Sequence, residues 1–135
     1  MADSLFDTFP THLAHAKLTP SQFAIRVLEL MQTAYGGLPK LLDRFRDHGF
    51  DDAVRSWVSA GPNFTLTAED IGRVLGRQQV EALAREANVG VHDAEIEVAA
   101  LLPQLVDKLT PQGHVPDEAA LAGYFQQLKD KIGML

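Results

Sequence analysis

The chain has 135 residues, 46% of them hydrophobic and 22% charged, with no cysteine and a formal net charge of −6. That length supports one domain, and a domain of this size buries roughly two-thirds of the surface its unfolded chain exposes. The lack of cysteine excludes a disulfide framework, thiolate chemistry and the sulfur half of any zinc site. The acidic balance argues against DNA or RNA as partners, because affinity for polyanions rests on clustered Lys and Arg.

The first 18 residues, MADSLFDTFPTHLAHAKL, carry Asp3 and Asp7 where a secretory signal would be basic, and they lack a continuous apolar run. Nowhere do enough apolar residues follow one another to span a bilayer, so a cytoplasmic protein is expected. Thr19-Pro20-Ser21-Gln22 then fits a helix start, with a capping residue followed by proline at the first helical position. Phe23, Val27, Leu30 and Met31 form the apolar stripe of that helix, and Gly36-Gly37 stops it. The next stripe is Leu38, Leu41, Leu42 and Phe45, ending at His48-Gly49, where Gly49 suits a left-handed C-terminal position. Asp51 or Asp52 is expected to cap a short helix that carries Val54, Trp57 and Val58. Gly61-Pro62-Asn63 breaks it.

Thr67 opens a further helix, with Glu69 and Asp70 in its first turn and Ile71, Val74 and Leu75 on its apolar face. Gly76 ends it. Residues 77 to 87 repeat the pattern through Val80, Leu83 and Ala84. After Asn88-Val89-Gly90 comes a stripe of Val98, Leu101, Leu102, Leu105 and Leu109, with Pro103 inside it. Proline removes the hydrogen bond to Ala99 at a cost of ~3 kcal/mol in a regular helix. The stripe continues on both sides, so a kinked helix or two short helices meeting at Leu102 are both consistent. Thr110-Pro111, Gly113 and Pro116 then stop the chain and turn it, before a last helix near Asp117 carrying Leu121, Tyr124, Phe125, Leu128 and Ile132. The periodicity is helical throughout, which predicts an all-α fold, a single compact domain of seven or eight short helices.

Two stretches carry a family resemblance. The pattern from Phe45 to Val58, FRDHGFDDAVRSWV, and that from Leu101 to Pro116, LLPQLVDKLTPQGHVP, together with LTAEDIGRVLG between them, resemble the YidB-like family of bacterial proteins. The resemblance covers about residues 36 to 117 within a domain expected over 19–135. Residues 1–18 depart from the short, Gly-rich start of relatives, so nothing transfers to them. It implies an all-helical single domain, in a family of unknown function. Gly49, Trp57, Pro103, Asp107, Lys108, Gly113 and Pro116 are the motif positions, and each reads as structural.

Candidate chemistry is sparse. Residues 82–102 have the spacing of a helix-turn-helix, but the second helix offers His92, Asp93, Glu95 and Glu97, with no Lys or Arg from 86 to 107. Such a helix repels phosphate, and the expected reading is two packed helices with an acidic, solvated face. His12 and His15, or His92 and Glu95, supply two ligands where a zinc site needs three or more. The sequence holds no G-x-S-x-G, P-loop or G-x-G-x-x-G. Gly72 and Gly76 have G-x-x-x-G spacing, which reads as close helix packing and a C-cap. Trp57 reads as core, with a partner anchor as its alternative. No catalytic set, metal or cofactor is expected. The preferred reading is a non-catalytic protein-interaction module that binds another protein or itself. The alternative is a small-molecule binder or enzyme with a site between helices, and a DNA-associated protein ranks third.

Overall fold

The computed structural model describes residues 20–59 and 64–133. They form seven α-helices: α1 (Pro20–Thr33), α2 (Leu38–Asp47), α3 (Asp51–Val58), α4 (Ala68–Leu75), α5 (Arg77–Ala87), α6 (Val91–Leu109) and α7 (Glu118–Gly133). The fold is all-α, as the periodicity requires. The expected cap Thr19, the Gly61-Pro62-Asn63 turn, and His12 and His15 lie outside the described residues. No described helix is long and apolar enough to cross a membrane.

Helix α6 is the axis of the molecule. Helices α1, α3, α4, α5 and α7 all pack against it, and Leu101, Leu102, Leu105, Val106 and Leu109 are buried along its length. One apolar face cannot serve five neighbours, so the buried set wraps around the helix, as expected of a core element. Pro103 sits inside α6 and is itself buried, and α6 remains one helix through it. The alternative of two helices meeting at Leu102 is therefore corrected. Proline already has helical φ, and the buried residues on both sides hold the axis together across the missing hydrogen bond. Gln104 Nε2 donates to the Ala100 carbonyl at 3.1 Å, supplying a side-chain donor beside the gap.

The turns follow their residues. Gly36 and Gly37 adopt φ of 83° and 110°, a region that side chains resist, and the Gly37 N–H closes on the Met31 carbonyl at 2.8 Å. Gly49 (φ 89°) ends α2, and Asn88 (φ 57°, ψ 48°) ends α5 in the left-handed conformation. Thr67 forms a reciprocal capping box with Asp70. Asp117 Oδ1 accepts from the Ala120 N–H at 2.8 Å at the start of α7. Asp51 and Asp52 correct the expectation made for them. Phe50 occupies the N-cap and no side chain caps α3; both aspartates lie in its first turn. There they favour the helix dipole and pair with Arg55, and Asp51 also meets Arg46.

Long-range hydrogen bonds tie helix ends to distant elements. The Tyr35 hydroxyl donates to the Leu75 carbonyl at 2.7 Å, and Arg44 Nε donates to the Val74 carbonyl. The last turn of α4 is thus closed from the α1–α2 turn and from α2. Trp57, fully buried and edge-on to Phe45 at 5.2 Å between ring centroids, donates Nε1–H to the Phe64 carbonyl at 2.8 Å. Ser56 Oγ accepts the Phe64 N–H at 2.9 Å. Both backbone groups of Phe64 are held by α3 while its ring stays exposed. Thr110 is buried, and its Oγ1 faces the Val106 carbonyl at 2.9 Å and the Val58 carbonyl at 3.3 Å. One hydroxyl proton serves both, which joins the end of α6 to the end of α3.

Two substitutions test this construction. Thr110→Val keeps the shape and removes the shared donor, and is expected to destabilise by about 1–2 kcal/mol in denaturant melts, with Thr110→Ser closer to wild type. Pro103→Ala restores the hydrogen bond to Ala99 but removes a buried ring from a core packed around it. It is expected to destabilise by about 1–2 kcal/mol. An unchanged or raised thermal midpoint would show that the packing does not depend on the proline.

Candidate functional site

The seven motif positions do not converge on one point. Gly49 is exposed between α2 and α3, whereas Trp57 lies in the core and Pro103 is buried in α6. Asp107 and Lys108 are exposed on the last turn of α6, and Gly113 and Pro116 belong to the connection to α7. The structure does bring the two motif stretches together as backbones: Thr110 from the second reaches the carbonyl of Val58, the last residue of the first. What the two stretches share is a packing contact between α3 and α6.

Three spaces between helices merit description. Beneath Tyr35 lies an apolar void of about 10 Å³ among residues such as Val27, Met31, Leu41 and Leu102. That is no larger than the space one water requires. A groove of about 420 Å³ runs between α1 and α5, with Gln32, Thr33, Gln79 and Glu86 on its walls. Its charges are mutually engaged: Arg26 meets Glu29 and Glu86, each at 3.0 Å, and Lys129 of α7 meets Glu29 at 3.8 Å. All are solvent-facing pairs, worth little individually. A second groove, of about 550 Å³, lies between the Gly36–Lys40 turn and the start of α7, with Leu38, Pro39, Pro116, Leu121 and Phe125 on its walls. Both grooves open to solvent.

The acidic face of α6 requires a correction. Glu97 is buried, at 1% relative exposure, and Glu95 lies against α4, where a Cβ on Gly72 would come within 2.1 Å of its Oε2. The glycine therefore provides the close approach expected of it, and the group it admits is a carboxylate. His92 Nδ1 stands 3.6 Å from Glu95 Oε1. Among the described residues no three His, Asp or Glu side chains gather as a metal site would require. Burial pushes the Glu97 carboxyl up to about 7, and the negative charge of Asp93 one turn earlier adds to the effect. Burial likewise raises the Tyr35 hydroxyl to about 12, against an opposing pull from Arg44, whose guanidinium lies 5.5 Å from the ring centroid. Tyr35 accordingly stays protonated and keeps its bond to Leu75. Sequence reasoning missed Glu97 because it follows Asp93 and Glu95 in a polar run. The signal was its spacing: it lies three residues beyond Ala94 and four before Leu101, both buried.

With this geometry in hand, comparison with known proteins identifies the family. A family profile described as YidB-like protein matches residues 21–118. The chain belongs to the YidB-like family. The match includes α1, which the resemblance read from the sequence did not reach, and stops where α7 begins. The chain is also similar to the uncharacterized protein YidB of Escherichia coli strain K12, at 29% identity over 101 residues, or 72% of this chain and 76% of that protein. No solved structure matches.

Glu97 yields a pH prediction. In the unfolded chain this carboxyl titrates near 4.5 and in the folded chain near 7. Between those values the folded state holds a proton that the unfolded state has lost, so stability falls as pH rises through the window. The full cost, reached above pH 7, is on the order of 3 kcal/mol. Below 4.5 both states are protonated and the cost vanishes. Glu97→Gln is expected to melt higher than wild type at pH 8 and alongside it at pH 4.5, with the difference growing between.

Proposed function

We propose that this chain is a non-catalytic protein-interaction module, acting in the cytoplasm and binding another protein or a second copy of itself. The observation that carries this reading is how four polar side chains that reach between elements are used. Tyr35, Arg44 and Thr110 donate to backbone carbonyls in the last turns of α4 and α3, and Trp57 donates to the Phe64 carbonyl between those helices, leaving them to organise the scaffold and not to act on a substrate. The motif positions Gly49, Trp57, Pro103, Asp107, Lys108, Gly113 and Pro116 are structural in this reading, which fits their scatter over the molecule. A nucleic-acid role finds little support, because α6, the candidate recognition helix, is packed on by five neighbours and opens with His92, Asp93 and Glu95.

Light scattering over a wide concentration range, together with affinity capture by the tagged full chain, tests the proposal. Concentration-dependent association, or a protein retained by the wild type and reconstituted with it from purified components, is the expected result. A strict monomer that retains nothing reproducible would overturn it.

A further inference from the structure

We draw no further inference here: the strongest candidate, the open groove between the Gly36–Lys40 turn and the start of α7, has Leu38, Leu121 and Phe125 on its walls, but nothing in the structure shows what covers it.

Discussion

Short helices leave a large share of their backbone polar groups unsatisfied, and in this chain four of the seven run for only eight to eleven residues. Each helix end presents carbonyls that no further turn can satisfy. The molecule meets this constraint with side chains from elsewhere in the fold. Tyr35 and Arg44 close α4, Thr110 closes α3 while ending α6, and Trp57 holds the return from α3 toward α4. The bonds to Leu75, Val74 and Val58 lower the cost of ending a helix where the packing requires it to end. Without them α3 and α4, with eight residues apiece, would rest on burial and on their own first-turn contacts.

Those bonds also explain why the motif positions lie where they do. Trp57 fixes the return from α3 toward α4, and Thr110 fixes the meeting of α3 with α6. The exposed motif residues around it, Gly49, Asp107 and Gly113, mark where helices end and the chain turns. The buried carboxyl of Glu97 is a group whose charge opposes the packing of the helix that carries it.

Helix α7 stands in a different relation to that scaffold. Hydrogen bonds spanning 30 or more residues join α4 to α2 and to the α1–α2 turn, and join the end of α6 to α3. The seat of α7 is apolar, with a solvent-facing Lys129–Glu29 pair at its edge. Apolar burial is non-directional, so it secures the helix through the area it covers.

How much of this was legible in the sequence divides along physical lines. Helix positions, the start at Thr67, the glycine stops at Gly49 and Gly76, and most of the core follow from local rules: period, capping chemistry and the φ that glycine favours. So does the family, through the two patterns that end at Val58 and Pro116. Three features needed the tertiary structure. Phe50, and neither Asp51 nor Asp52, precedes α3, its carbonyl taking the first helical hydrogen bond from the Val54 N–H. Glu97 turns inward and Glu95 lies over Gly72 because five helices surround α6 and leave little of it to solvent. Thr110, which sequence reasoning took for a simple stop, becomes a clamp because Val58, 52 residues earlier, ends within reach of its hydroxyl. Sequence period determines which face of a helix is apolar. How much of the remainder is also covered depends on the number of neighbours, and only the packed molecule sets that.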